Sequence, residues 1–197
     1  MAFHFFATVS RMKYIERWAL MRNSRQENLS EHSLEVAMIA HALCVIGNVR
    51  YGKCLNADKA ALIGLYHDTS EIITGDMPTP VKYYNDTIRD AYKEIEAIAE
   101  SKLLNRLPDD LRPAFERIYR PEDGENERYM RKLVKAADKL SAYIKCIEEE
   151  KSGNTEFRTA KESTEKKLEK LRFDYPEVDD FMKDFLPSYG STLDELS

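Results

Sequence analysis

Apolar residues recur at intervals of three and four along most of this chain, the spacing that brings them onto one face of an α-helix. The first such run extends about four turns through Phe5, Val9 and Ile15. Later runs predict helices within residues 30–47, 56–75, 85–103, 108–119, 133–147 and 154–171, and a short helix after Pro176. No run of alternating β-branched residues indicates a strand. The pattern therefore predicts an all-α fold in which residues 1–197 form a single helical bundle.

Capping residues and helix breakers set the expected limits of these helices. Helix starts are expected at Ser30, Asn56, Asn85 and Pro108, and helix ends at Gly47 and Gly75. The segment 74–82 contains Pro78 and Pro80, so regular helix is not expected there. The polar stretch 120–127 is expected to be the longest surface loop.

Length and composition are those of a soluble globular protein rather than of a disordered one. The 197 residues are 43% hydrophobic and 33% charged, with seven Gly and seven Pro. A net charge of −5 gives no overall attraction to nucleic acid or to an anionic membrane. No segment has the run of about 18 apolar residues that a membrane span requires, and residues 1–10 lack the pattern of a secretory signal. A cytoplasmic protein with no polymeric nucleic acid and no membrane as partner is expected.

Ionisable residues interrupt the predicted third helix near its end. His67 and Glu71 are four residues apart with Asp68 between them, so the three side chains would share one region of the helix surface. Ala60 and Gly64 precede them and would leave room for a ligand. Taken alone, such a group of ionisable residues more often lies on a solvent-exposed helix surface than binds a ligand.

Two further residues give the group a metal-binding character. His32 lies near the start of the predicted second helix, and Asp138 interrupts the apolar run 133–140, where a carboxylate needs a partner. With His67 and Asp68, these residues supply two imidazoles and two carboxylates from three helices. Such mixed nitrogen and oxygen ligands suit Mn, Co, Fe or Zn better than Mg or Ca.

The order of these four residues resembles the H…HD…D signature of the HD-domain metal-dependent phosphohydrolases. Residues 17–32 (RWALMRNSRQENLSEH) and 66–82 (YHDTSEIITGDMPTPVK) are similar to segments of the bacterial HD-domain 5′-deoxynucleotidases of the YfbR type. The similarity continues through residues 141–149 to the tail at 187–189, so it covers nearly the full length of the chain.

This resemblance implies hydrolysis of deoxyribonucleoside 5′-monophosphates to the deoxynucleoside and phosphate, with a divalent cation such as Co or Mn as cofactor. The implied metal ligands are His32, His67, Asp68 and Asp138, of which Asp68 and Asp138 also contact the substrate. Glu71 occupies the position of the acidic catalytic residue, and Arg17 that of the residue that orients the phosphate. The rest of the implied substrate pocket consists of Trp18, Asp76, Met77, Pro78 and Thr79. Members of the family form homodimers.

The residue types suit this chemistry. A bound divalent cation acidifies water and screens phosphate charge, and the permanently charged Arg17 can bond two phosphate oxygens at once. Glu71 is placed to align water or to protonate the leaving 5′-oxygen. Two alternatives stay open: another HD-domain hydrolase acting on a nucleoside triphosphate or a phosphodiester, and a nucleotide-binding HD protein without turnover.

Overall fold

The structure is a computed structural model that describes residues 2–82 and 84–197, with every side chain in these ranges except that of Thr79. Its α-helices are α1 (Phe5–Val9), α2 (Leu29–Tyr51), α3 (Ala57–Tyr66), α4 (Glu71–Thr74), α5 (Thr79–Lys82), α6 (Asp86–Leu104), α7 (Arg112–Tyr119), α8 (Glu125–Lys151), α9 (Arg158–Asp174) and α10 (Pro176–Asp184). Short 3-10 helices span Ser10–Tyr14, Leu186–Ser188 and Leu193–Leu196. Two strands of two residues each, β1 (Glu16–Arg17) and β2 (Glu27–Asn28), pair antiparallel.

The core is built around α2, which packs most extensively against α3 and α8. α9 packs on α8, and α10 packs on α9 and α2. Leu43, Leu133, Leu140 and Val178 are completely buried in the resulting hydrophobic cluster. Burial of each such side chain stabilises the fold by about 1.5–3 kcal/mol. The three helices that carry the candidate ligands are therefore also the ones that the core holds together.

The predicted all-α fold class is confirmed, with one local exception. The strands β1 and β2 form a small ribbon in which Arg17 pairs with Glu27. Two residues per strand are too few for an alternating pattern, so the sequence did not predict them. The ribbon nevertheless matters, because it fixes the position of Arg17.

The predicted length of the first helix and the predicted cap of the second were wrong. α1 is only five residues long, and the chain continues as a 3-10 helix before Ile15 becomes extended and leads into β1. α2 is capped by Asn28 rather than by Ser30. The Asn28 side chain accepts hydrogen bonds from the backbone nitrogens of Ser30 and Glu31, and Glu31 accepts one from Asn28 in return. This capping box starts α2 one turn before His32.

Gly47 does not end α2, which continues to Tyr51 and stops at Gly52, whose φ is 63°. Gly47 is instead a close packing point, because a Cβ atom there would lie 2.8 Å from Oε1 of Glu177. Pro108 does not begin a helix either. A backbone turn follows it, and α7 starts at Arg112.

Two loop predictions also needed correction. The expected loop at 120–127 ends earlier, because α8 begins at Glu125. The segment 74–82, expected to be non-helical, contains the single turn of α5. The predicted starts at Asn56, Asn85 and Pro176 were confirmed, the first two with side-chain caps.

The predicted helix from 56 to 75 is broken in the structure. α3 ends at Tyr66, where the hydroxyl of Thr69 donates to the Tyr66 carbonyl oxygen at 2.8 Å and competes with the helical bond. The backbone then makes bonds three residues apart until α4 begins at Glu71. His67 and Glu71 thus do not face each other across one regular helical turn, as the spacing had predicted.

α2 is long and apolar enough, by length and mean hydropathy alone, to cross a membrane, which the sequence pattern did not indicate. More than half of its apolar window is buried inside the protein. A buried core helix passes the same test, so this finding is weak evidence for a membrane span.

Candidate active site

His32 is the completely buried member of the candidate ligand group. Its Nε2 atom lies 3.3 Å from Oδ1 of Asp138 and 3.6 Å from Oδ2 of Asp68. Burial lowers the pKa of His32, and the positive charge of Arg17 lowers it further. The ring is therefore neutral: one nitrogen carries a proton, and the other has a lone pair that can bind a metal ion.

His67 lies in the turn that follows α3. Its Nδ1 atom lies 2.8 Å from the carbonyl oxygen of Gly64, to which it can only donate. Its Nε2 atom lies 2.9 Å from Oδ2 of Asp68, and the ring centroid lies 5.3 Å from that of His32. Burial opposes protonation, but the charges of Asp68 and Asp138 outweigh burial and raise the pKa of His67 to about 9. A metal ion that binds this nitrogen must displace a proton.

The donor set fits a divalent metal ion. One ligand atom each from His32, His67 and Asp68 lies within 4.8 Å of the other two. Among the described residues, the Nε2 atoms of both histidines are buried and make no well-aligned hydrogen bond; their neighbours are the carboxylate oxygens of Asp68 and Asp138. Burial opposes ionisation of Asp138, but Lys139 and the two histidines hold its pKa well below the usual range. His32, His67 and Asp68 thus form one ligand group, and Asp138 adjoins it at 3.3 Å from Nε2 of His32. Two imidazoles and two carboxylates are ligands of transition metals.

Arg17 approaches the same point from the β-ribbon. Its side chain is only 10% exposed, and Nη1 donates to Oε2 of Glu27 at 2.8 Å. Burial opposes its charge, but Glu27, Asp138 and Asp68 together raise the pKa of Arg17. Its Nε atom is buried without a partner. The guanidinium is therefore held by one carboxylate and has an unused donor.

Trp18 is the only non-glycine residue with positive φ among the described residues, at 58°. Such a conformation is strained for a bulky side chain and often marks a functional site. Its ring packs edge-on against Phe157, with centroids 5.4 Å apart, and the guanidinium of Arg17 lies 5.9 Å from the ring. The indole Nε1 is buried and unpartnered, so it can donate to a ligand.

Glu71 begins α4 and is 6% exposed. Its Oε2 atom is buried without a hydrogen-bond partner among the side chains that the structure describes. Burial and the negative charges of Asp68 and Asp76 raise the pKa of Glu71 to about 9. Without a bound cation, the carboxyl group is therefore protonated at neutral pH and can act as a proton donor.

The segment after α4 turns sharply at Gly75, whose φ of 72° favours glycine. Asp76 and Met77 are half-buried and Pro78 is exposed. Asp76 is close enough to influence both Glu71 and Arg17 electrostatically. The side chain of Thr79 lies outside the described residues.

A cavity of about 280 Å³ lies beside the ligand group. Its walls include His67 and Asp138, together with Tyr66, Tyr119 and Val134 from α3, α7 and α8. Trp18 and residues 76–78 do not line it. This cavity gives small molecules access to two of the candidate ligands.

A buried serine and a half-buried glutamate that the sequence reasoning did not single out extend the site. Ser141 lies three residues after Asp138, and its hydroxyl oxygen is 2.9 Å from Nδ1 of His32. Glu35 lies three residues after His32 and accepts a 2.6 Å hydrogen bond from Ser141. Both spacings place the new residue on the helix face of a predicted ligand, which is the signal that could have identified them.

The structure thus brings together most of the residues implied by the sequence. The candidate ligands lie together, Arg17 and Glu71 interact with them electrostatically, and Asp76 interacts with Arg17 and Glu71. Trp18 lies beside Arg17. Met77 and Pro78 follow on the neighbouring loop, without a contact that ties them to the centre.

Comparison with known proteins places this geometry in a family. Residues 4–189 match the model of the family described as 5′-deoxynucleotidase YfbR-like. The chain is 51% identical over 194 residues to a 5′-deoxynucleotidase from Erwinia tasmaniensis and 52% identical to one from Salmonella typhi. Each alignment covers 98% of this chain and 96% of the relative.

Solved structures agree on the fold. An HD-domain phosphohydrolase from Listeria innocua superposes with a TM-score of 0.79 at 22% identity, over 94% of this chain and 88% of that one. A cyanophage S-2L HD phosphohydrolase, solved with dA and one catalytic Zn²⁺ ion, superposes with a TM-score of 0.65 at 20% identity, over 94% and 96%. The full-length match to the family model and the identity of about half to its curated relatives show that this chain belongs to the 5′-deoxynucleotidase YfbR-like family.

Proposed function

We propose that this member of the family hydrolyses deoxyribonucleoside 5′-monophosphates to the deoxynucleoside and inorganic phosphate, using a divalent cation held by His32, His67, Asp68 and Asp138. The observation that carries the proposal is the close approach of these side chains: ligand atoms of His32, His67 and Asp68 lie within 4.8 Å of one another, and Asp138 lies 3.3 Å from Nε2 of His32. The names of the relatives support the substrate class.

A transition metal such as Co or Mn is the proposed cofactor, because two nitrogen and two oxygen ligands suit these ions. The Zn²⁺ ion of the cyanophage HD phosphohydrolase is likewise a divalent first-row metal ion. When bound, the cation acidifies water and screens the negative charge of the phosphate. Asp68 and Asp138, as ligands, lie next to the phosphate.

Arg17 is proposed to orient the phosphate. Glu27 holds one end of its guanidinium, so little conformational entropy is lost when the remaining donors bind phosphate oxygens. The carboxylates around Arg17 keep it charged. Without Arg17, we expect the substrate to bind more weakly and to be aligned less well for reaction.

Glu71 is proposed to supply the proton that the leaving 5′-oxygen requires. Breaking the ester leaves a negative charge on that oxygen, and a neutral carboxyl group at this position can neutralise the charge. In the metal-free protein, burial and the neighbouring carboxylates favour the protonated form of Glu71. Glu71 is not needed as a ligand, since four other side chains are available.

Trp18 and residues 76–79 are proposed to hold the deoxyribose. Asp76 supplies a carboxylate that can accept a hydrogen bond from a sugar hydroxyl, and the indole Nε1 of Trp18 is an unused donor. Met77, Pro78 and Thr79 would complete the surface, which we propose excludes a 2′-hydroxyl sterically.

Phosphate release tests this function. We expect purified protein loaded with Co²⁺ or Mn²⁺ to release phosphate from dAMP, dGMP, dCMP, dTMP and dUMP much faster than from the ribonucleotides. Preference for a triphosphate or a cyclic dinucleotide would favour another HD hydrolase. Nucleotide binding without phosphate release would favour a non-catalytic protein.

We further propose one domain over residues 1–197 that assembles as a cytoplasmic homodimer, with no polymeric nucleic acid and no membrane as partner. An exposed apolar stripe on α2 supports the dimer: Leu34 (54% exposed), Met38 (58%) and Val49 (77%) share one helix face. Contiguous apolar surface of this kind marks interaction sites. Light scattering should report a dimer that a Met38→Glu, Val49→Glu double variant converts to a monomer.

A further inference from the structure

We propose that Glu35 and Ser141 are positioning residues that fix the proton of His32 on Nδ1, and so present its Nε2 atom to the metal. The proposal rests on the proposed role of His32 as a metal ligand. It extends that role to three hydrogen-bonded side chains: the half-buried Glu35 and the buried Ser141 and His32.

The direction of the hydrogen bonds follows from the number of protons available. The hydroxyl of Ser141 has a single proton, and it donates this proton to Oε2 of Glu35 at 2.6 Å. The same oxygen lies 2.9 Å from Nδ1 of His32. Burial raises the pKa of Glu35 to about 7. In the ionised form of Glu35 the proton of Ser141 is already used, so Ser141 can only accept from the ring and His32 must carry its proton on Nδ1.

This tautomer leaves the lone pair of Nε2 pointing at the carboxylates of Asp68 and Asp138. A lone pair that faces two negative charges is unfavourable until a cation lies between them. The opposite tautomer would satisfy Nε2 by donation to Asp138 and would have to be undone before metal binding. The chain through Ser141 therefore favours the metal-binding form of His32 in advance.

The surroundings of these three hydrogen-bonded side chains favour a fixed proton position on His32. Ser141 and His32 are completely buried, so no water competes for the hydroxyl or the ring. Glu35 lies in a second, polar cleft whose walls also include Glu27, Lys145 and Glu148. Glu35 thus acts on Nδ1 of His32 through Ser141. Asp68 and Asp138 face the other ring nitrogen, Nε2. Partners of this kind commonly contribute 10–100-fold to metal affinity or activity.

The structure offers a matched control for each residue. Ser33 lies next to His32, is 2% exposed, and its hydroxyl has no partner in the described part of the chain. Ser33→Ala removes a buried hydroxyl from the same region without touching the chain of hydrogen bonds. Glu148 lines the same cleft as Glu35 and makes no bond to Ser141, so Glu148→Ala controls for the loss of a carboxylate there.

Metal affinity measures the proposed effect directly. Metal-free protein is titrated with Co²⁺ or Zn²⁺ against a chromophoric chelator, with thermal unfolding recorded for each variant. We expect Ser141→Ala and Glu35→Ala to bind metal about 10–100-fold more weakly than wild type. Glu35→Gln keeps an oxygen that accepts from Ser141, so its affinity should lie much closer to wild type. Ser33→Ala and Glu148→Ala should bind as wild type does.

The tautomer itself provides a second measurement. In the ¹⁵N spectrum of the metal-free protein, His32 should show a proton on Nδ1 in wild type and a mixture of tautomers in Ser141→Ala. Unchanged affinity in Ser141→Ala and Glu35→Ala, or an equal loss in Ser33→Ala, would overturn the proposal. Wild-type protein that binds no metal would instead refute the metal site itself.

Discussion

Gly64 lies so close to Ala37 that a Cβ atom on Gly64 would be 2.7 Å from the Cα atom of Ala37. This contact sets the separation of α3 from α2. His32 lies five residues before Ala37, and the carbonyl oxygen of Gly64 itself accepts from Nδ1 of His67. One glycine therefore controls both the helix spacing and the orientation of a candidate ligand.

Gly64→Ala is expected to push the two helices apart. Overpacking of this kind costs about 1–3 kcal/mol, and the separation of the two histidines should weaken metal binding as well. Thermal unfolding and metal titration check both effects. Gly52→Ala is the control: it strains a residue with φ of 63° that has nothing within 4 Å of its Cβ position, so it should lower stability and leave metal affinity unchanged. Equal metal affinity in both variants would contradict the proposed spacing role.

Replacing His67 or Asp68 with Ala should remove both the bound metal and phosphatase activity, because each provides a ligand. In wild type, the raised pKa of His67, about 9, means that metal must displace a proton at lower pH. Metal affinity should therefore rise about tenfold per pH unit between about pH 6 and pH 9. Titration with Co²⁺ at several pH values measures the slope.

The exposed His41, which lies on α2 away from the ligand group, serves as the control for this experiment. His41→Ala should keep the metal content and the pH slope of wild type. Wild-type metal content in His67→Ala or Asp68→Ala would rule out the assignment of these ligands.

Glu71→Gln is expected to separate chemistry from binding. The amide keeps the shape of the side chain but cannot donate a carboxyl proton, so turnover of dAMP should fall by about 10²–10⁴-fold. Metal content and calorimetric binding of dAMP should stay close to wild type. In wild type, the rate should fall as pH rises through the pKa of Glu71 and the acid loses its proton. Loss of metal in Glu71→Gln would make the residue a ligand, and full activity would remove it from the mechanism.

Asp76→Ala is expected to lose most activity on dAMP, because the proposed contact with the sugar disappears. The ratio of dAMP to AMP hydrolysis should also fall, since the remaining surface no longer distinguishes the sugars. Steady-state kinetics on both nucleotides measure this. Equal wild-type rates on AMP and dAMP would argue against sugar recognition by this loop.

The buried Glu149 leads us to expect that the free energy of unfolding falls in acid. It is 1% exposed and accepts from Lys145, from the backbone nitrogen of Ser24 at 2.8 Å and from Asn154 at 2.7 Å. Burial opposes its charge, but these donors lower the pKa of Glu149 from 4.5 to about 2. Because the folded pKa is depressed, the stabilisation is complete above about pH 4.5 and is lost as pH falls towards 2.

Glu149→Gln should lower the free energy of unfolding at pH 7 by about 3–5 kcal/mol, since it leaves the buried Lys145 without its charged partner. The free energy of unfolding of Glu149→Gln should also fall less in acid than that of wild type. Urea unfolding at several pH values measures this difference. Glu150→Gln removes an exposed carboxylate that pairs with Lys161, so solvent screening should leave its effect on stability small. Similar losses in the two variants would contradict the buried pairing.

Helix periodicity was enough to predict the all-α fold class and most of the long helices, because α2, α6 and α8 bury apolar residues at helical spacing. Helix ends were predicted less well. Asn28, not Ser30, caps α2, and Thr69 breaks the helix after Tyr66. Caps compete over one or two residues for the same backbone groups, and a single side-chain hydrogen bond decides between them.

The sequence by itself determined which residue types were available for chemistry and, through the resemblance of its motifs, the family to which the chain belongs. Only the tertiary structure brought His32 to Asp138 and Arg17 to Asp68 and Asp138, because these interactions join residues more than 50 positions apart. It also decided the protonation of Glu71, whose raised pKa comes from burial and from neighbouring charges rather than from its place in the sequence. Charge interactions and desolvation depend on distance in space, which helical periodicity does not specify until the helices pack.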